Sequence, residues 1–140
     1  MPRLAQRPGG PLLKTGILNP AINSLISRVR HTNTLVIADR GFPSWPQLET
    51  IDISLVDDVP RVLDVLSALL PNFSCGRAYI AEEFEVHNNA KTVENLRSTL
   101  GSIEIIRLPH VELKKRVPSA TGLIRTGDTV QYANIILESA

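Results

Sequence analysis

A chain of 140 residues with 43% hydrophobic content can bury one substantial core and is short for two independent domains. Its formal net charge of +1 builds no basic stripe for phosphate backbones or an anionic bilayer, which sets aside nucleic acid and membrane as partners. No apolar run approaches the roughly eighteen residues of a membrane helix, the first residues lack a signal-peptide core, and the lone Cys75 leaves neither a disulfide nor a thiolate metal pair. The expectation is a soluble protein of the reducing cytoplasm.

Residues 1–13, MPRLAQRPGGPLL, hold two arginines, three prolines, two glycines and no acid, which predicts a flexible extension and leaves 14–140 as a single domain. In NPAINSLISRVR, Asn19 is a good N-cap, Pro20 suits the first turn, and Ile22, Leu25, Ile26 and Val29 recur at helical spacing. LVIA (35–38) and TIDISLV (50–56) read as strands joined through the conspicuous loop GFPSWPQ. Pro60 opens a second helix whose Val62, Leu63, Leu66, Leu69 and Leu70 form an apolar face before Pro71 stops it. RAYIAEE (77–83) predicts a strand, and the following AEEFEVHN an acidic loop in which Asn88 or Asn89 caps the next helix. That helix is AKTVENLRSTL, closed by Gly101 and followed by the strand SIEIIRL (102–108). PHVELKKRV predicts a brief helix, and TGLIR and ANIIL are closing strands. Strands alternating with helices of this length imply a largely parallel sheet of about six strands, covered on both faces.

No Walker loop, G-x-G-x-x-G or G-x-S-x-G is present. His31, His87 and His110 fall in no metal-ligand spacing, so no metal is expected. What remains is polar residues at element ends, where an open α/β sheet builds its ligand crevice. Asp39 follows the first strand; His110 follows the 102–108 strand, with Lys114 one helical turn on; Tyr132 and Asn134 flank the entry to the last strand. Each also has a plain alternative: Asp39 a turn residue, Lys114 a solvated charge, Tyr132 a half-buried edge aromatic, and His31 an imidazole at a helix C-terminus. Glu82, Glu83, Glu85 and His87 crowd one segment, but an acidic capping loop accounts for them.

Taken together, TGILNPAINSLISRVRHTNTLVIADRGFP, IDISL, YIAEE, PHVELK and IRTGDTVQYANIIL resemble the D-ribose pyranase family, which also embraces the L-fucose mutarotases. The likeness runs from Lys14 to Leu137, and the pairing of H-T-x-x-L-V-x-x-D with Y-A-N-I-I-L carries it. The resemblance implies a three-layer α/β/α sandwich and a ring-shaped homo-oligomer, a pentamer or decamer. It also implies cofactor-free interconversion of the cyclic forms of a free monosaccharide, most simply D-ribose. It makes His31 the catalytic acid/base and Asp39, His110 and the segment Tyr132, Ala133 and Asn134 sugar-binding, with Lys114 a further candidate. Arg40 departs from the ribose enzymes, which carry a small residue there. It motivates two alternatives: a non-catalytic sugar-binding or regulatory protein, and a mutarotase for an acidic or phosphorylated sugar.

Opening a pyranose ring needs a proton delivered to the ring oxygen and another taken from the anomeric hydroxyl, with no net charge or electron leaving the sugar. Imidazole suits both transfers near neutrality. Yet eight fully extended residues from His31 to Asp39 span roughly 26 Å, more than one sugar can bridge. The expectation is therefore that the histidine of one subunit serves the sugar-binding edge of its neighbour through a head-to-tail contact.

Overall fold

The computed structural model describes residues 16–140; the extension expected over residues 1–13 lies outside the described residues. Helix α1 (Pro20–Ser27) starts where Asn19 Oδ1 accepts the Ile22 amide at 3.0 Å and buries Ile22 and Leu25. Strand β1 (Thr34–Ala38) follows. Its Leu35 and Ile37 point to one face and its Val36 and Ala38 to the other, and all four are buried. A strand apolar on both faces has helices or loops on both sides, and each fully buried branched side chain contributes about 1.5–3 kcal/mol.

After β2 (Thr50–Asp52) the chain forms α2 (Val62–Leu69), β3 (Cys75–Ala81), α3 (Glu82–His87), α4 (Ala90–Leu100), β4 (Glu104–Leu108), α5 (His110–Arg116), β5 (Gly122–Arg125) and β6 (Ile135–Ser139). The six strands form one sheet in the order β2-β5-β1-β6-β3-β4. Strand β6 runs antiparallel to both neighbours, and the other pairs are parallel. The ends of β1, β3, β4 and β5 therefore share one edge with the start of β6. Helices α1 to α4 cover one face, while α5 and the loop residues Phe42 and Leu48 cover the other, making three layers. Gly122 is required where α1 presses on the sheet, since a Cβ there would meet the Leu25 side chain at 2.5 Å.

Several boundaries differ from the sequence expectation, and three of these differences have a clear local reason. The strand expected over 50–56 pairs only through Asp52, because Asp52 Oδ1 accepts the Ser54 amide at 2.9 Å and turns the chain, leaving Leu55 and Val56 exposed. The strand expected to reach residue 83 ends at Ala81, and Glu82–His87 is a helix rather than a loop. Its first-turn carboxylates favour the positive end of the helix, a signal that six residues are too few to display as periodicity. The last strand starts at Ile135 instead of 133 because Tyr132 takes a left-handed conformation, φ 57°. Asn89, of the two caps considered, is the one used: its Oδ1 accepts the Thr92 amide at 2.8 Å. No helix among the described residues is long and apolar enough to cross a membrane.

Residues 126–130 tie the two halves of the sheet edge together. The amide and hydroxyl of Thr126 both donate to the Ala38 carbonyl, at 2.9 and 2.8 Å. Asp128, 4% exposed, accepts the Val62 amide at the start of α2 on one oxygen and the Val130 amide on the other, both at 2.8 Å. Gly127 passes so close to the Val56 and Val59 carbonyls that a Cβ would collide with them. Asp128→Ala leaves two amides unpaired, and urea unfolding should show a loss of about 1–3 kcal/mol. An unchanged midpoint would mean that water replaces the carboxylate at no cost.

Candidate functional site

The shared sheet edge carries an open cleft of ≈ 400 Å³ whose walls include Asp39, Phe42, Pro43, His110, Tyr132 and Asn134. Asp39 leaves the end of β1 and Asn134 precedes β6, so antiparallel pairing of these strands sets the two side by side. The Asp39 amide donates to Asn134 Oδ1 at 2.7 Å, and Asn134 Nδ2 donates to Asp39 Oδ2 at 3.2 Å. The Gly41 amide donates to Asp39 Oδ1 at 3.0 Å. Asn134 is 2% exposed, so its amide is committed to holding the aspartate. The carboxylate keeps acceptor capacity for a ligand's hydroxyls.

His110 begins α5, which lies back across β3 and brings the imidazole to the cleft. Its backbone amide donates to Glu83 Oε1 at 2.9 Å. Its ring packs edge-on against Tyr132 at 5.1 Å and Phe42 at 6.1 Å between centroids. Nε2 is buried and has no hydrogen-bond partner among the described residues. Burial holds this imidazole below the usual histidine range; nearby Lys114 acts in the same direction, and Glu83 and Asp39 oppose it. The result is a neutral ring with one polar atom left to pair. The cleft thus offers a carboxylate, an imidazole nitrogen and aromatic faces, a set suited to a small ligand with many hydroxyls and an apolar C–H face.

Of the residues expected from the sequence, Asp39, His110, Tyr132 and Asn134 come together in this cleft. Ala133 does not: it lines a separate small cavity with Phe84, Leu96 and Val130. Lys114 lines an adjoining groove beside Trp45 and Val111, and reaches the site only through its charge on His110. His31 is exposed in a turn beyond α1, where the Thr32 amide donates to the Ser139 carbonyl at the far end of β6. The cleft lies beyond the opposite end of β1, whose five residues alone cover about 13 Å. Arg40 turns away from Asp39 and donates to Asp57 at 2.9 Å, with both side chains exposed.

Sequence reasoning missed Arg125, which is 8% exposed. Its guanidinium donates to the carbonyls of Asp39, Arg40 and Pro43 at 3.3, 3.4 and 3.4 Å and to Ser44 Oγ at 3.2 Å. Asp52 lies 3.8 Å from its Nε. One side chain therefore holds the loop that forms a wall of the cleft. The available signal was an arginine closing the otherwise apolar strand GLIR, since a buried guanidinium must find several acceptors. Among the described residues, no cluster of histidine, cysteine or carboxylate side chains is placed to hold a metal ion.

Known proteins resemble this chain in sequence and in fold. The model of the RbsD / FucU transport protein family matches residues 12–140. The chain is 38% identical over 126 residues to the D-ribose pyranase of Lactobacillus gasseri, covering 90% of this chain and 95% of that one. It is equally identical over 126 residues to the D-ribose pyranase of Geobacillus kaustophilus, covering 90% and 92%. Its structure is similar to Bacillus subtilis RbsD complexed with D-ribose, with a TM-score of 0.85, 31% identity and coverage of 92% and 98%. It shares its fold with the fucose mutarotase of Streptococcus pneumoniae in complex with L-fucose, at a TM-score of 0.78, 20% identity and coverage of 92% and 98%. With the family model spanning residues 12–140 and 38% identical relatives aligned over 90% of its length, this chain belongs to the RbsD / FucU family.

Proposed function

We propose that this protein is a cofactor-free isomerase that interconverts pyranose, furanose or anomeric forms of free D-ribose. In this reading His31 of one subunit acts as general acid/base at the cleft of the next, within a closed homo-oligomeric ring in the cytoplasm. The observation that carries it is the cleft itself, where an oriented Asp39, an unpaired His110 Nε2 and the Tyr132 and Phe42 rings converge. D-ribose is the choice because it is what the 38% identical relatives are named for and what the 31% identical structure binds.

In this reading Asp39 accepts hydrogen bonds from two sugar hydroxyls, and neutral His110 accepts a third at Nε2. The rings of Tyr132 and Phe42 cover the C–H face. His31 takes the proton of the anomeric hydroxyl and passes it to the ring oxygen as the bond between C1 and the ring oxygen breaks. The open aldehyde then rotates and recloses as another hydroxyl, or the same one on the other face, attacks C1 and its proton passes to the carbonyl oxygen. The same imidazole can return the proton, so no net charge is left and no redox partner is needed. The position of His31 at the opposite edge supports its supply by a neighbouring subunit, because a site that needs it and Asp39 together cannot lie along a single straight β1. Arg40, on which both a non-catalytic binder and a mutarotase for charged sugars would rest, is paired with Asp57 and does not line the cleft.

Exchange NMR on D-ribose tests the reaction. Wild-type protein should accelerate pyranose–furanose exchange, and His31→Ala should slow it by roughly 10²–10⁴-fold while ribose still raises the melting temperature. Wild-type exchange no faster than buffer would eliminate ribose, and full activity in His31→Ala would eliminate His31.

A second expectation concerns pH. Because burial lowers the His110 pKa below its ordinary 6.5, the neutral, accepting form persists through neutrality and is lost only on acidification. Ribose affinity measured by calorimetry should be highest on the alkaline side and fall on acidification, with its midpoint below 6.5. A midpoint above 6.5, or an affinity that rises on acidification, would contradict neutral His110 as the binding form.

A further inference from the structure

The acidic segment AEEFEVHN has no part in the chemistry above, yet it folds as α3 directly behind the aromatic wall of the cleft. Tyr132 stands in the left-handed region at φ 57°, a conformation that a bulky aromatic side chain keeps only when its surroundings impose it. On its C-terminal side, Asn134 is anchored to Asp39. On its N-terminal side, Asn88 Nδ2 donates to the Gln131 carbonyl at 2.9 Å and to the Phe84 carbonyl at 2.8 Å. That single amide links the last turn of α3 to the residue before Tyr132. The neighbouring His87 places its imidazole 5.3 Å from the Tyr132 ring with the planes 34° apart. On another side of the same phenol lies His110, edge-on at 5.1 Å, and its own amide is held by Glu83 of α3. Both rings of the wall are thus fastened to one short helix.

We infer that His87 and Asn88 form a clamp that positions Tyr132, and that through it they set the affinity and orientation of the sugar. His87 is exposed and does not line the cleft, so it acts on the ligand through the phenol rather than by touching it. Phe84 buries the helix in the core and prevents the clamp from drifting. A C–H face stacks on an aromatic ring only at a defined tilt, and two contacts fix that tilt: the amide fixes the peptide, and the imidazole fixes the ring. Polar residues that look like a solvated loop in the sequence thereby become positioning residues. This rests on the reading of the cleft as a sugar site.

The experiment uses protein carrying ¹³C-labelled tyrosine rings, of which the chain has only Tyr79 and Tyr132. His87→Ala and Asn88→Ala should each shift the Tyr132 ring signals and leave those of Tyr79 in place, and His87→Phe should restore the wild-type pattern. In exchange kinetics on ribose, His87→Ala should raise KM by roughly two- to tenfold, the range an aromatic pair is worth, with kcat changed less than about twofold. His87→Phe should recover KM. Should Asn88→Ala fail to fold, the two His87 variants decide alone. Tyr132 signals unmoved in His87→Ala, or moved with no change in sugar KM, would overturn the clamp. A wild type that neither binds nor turns over sugar would remove the sugar reading, while the Tyr132 signals would still decide whether the clamp exists.

Discussion

The paired hydrogen bonds between Asp39 and Asn134 are the joint on which the site depends. They close across two neighbouring strands of opposite direction, one ending and the other about to begin. Had β6 run parallel to β1, Asn134 and Tyr132 would stand at the edge where His31 stands, and the aspartate would face solvent alone. The antiparallel strand set into the middle of an otherwise parallel sheet is therefore what gathers a carboxylate, an amide and a phenol from distant parts of the chain. Its cost is an irregular approach, visible in the left-handed Tyr132.

The surroundings of that joint are polar but paired. Arg125, Thr126 and Asp128 are buried and bond to backbone groups of the loop after β1, the end of β1 and the start of α2. Buried polar groups of this kind contribute little net stability, but leaving one unpaired is expensive. They define a single backbone arrangement at the edge that forms the cleft. The apolar clusters on the two faces supply stability; this polar layer supplies the shape of the cleft.

Much of this was legible in the amino-acid sequence because it depends on short-range rules. Asn19 and Asn89 cap helices as their side chains predict, and Gly101 ends α4. The alternation of strands and helices implies the layered sheet, and residues at strand ends mark the cleft. What escaped depends on long-range contacts. Residues 50–56 look like one apolar strand until the Asp52–Ser54 turn breaks it. Glu82 to His87 are too few to reveal a helix. Ala133 lies between two cleft residues but lines another cavity, because the left-handed Tyr132 turns the chain just before it. Arg125 was passed over because only the folded loop shows the acceptors that its guanidinium meets.

The remaining feature is the separation of His31 from the cleft by the length of β1; in the proposed ring, each contact between subunits would complete a site. The most direct measurement co-assembles a His31→Ala chain with an Asp39→Ala chain, each inactive alone, and follows ribose exchange by NMR. Mixed assemblies verified by mass spectrometry should regain activity, because some sites then combine an intact His31 with an intact Asp39 from the adjoining chain. Verified mixed assemblies that stay inactive, or a verified monomer with full activity, would contradict the shared site and place the whole chemistry within one chain.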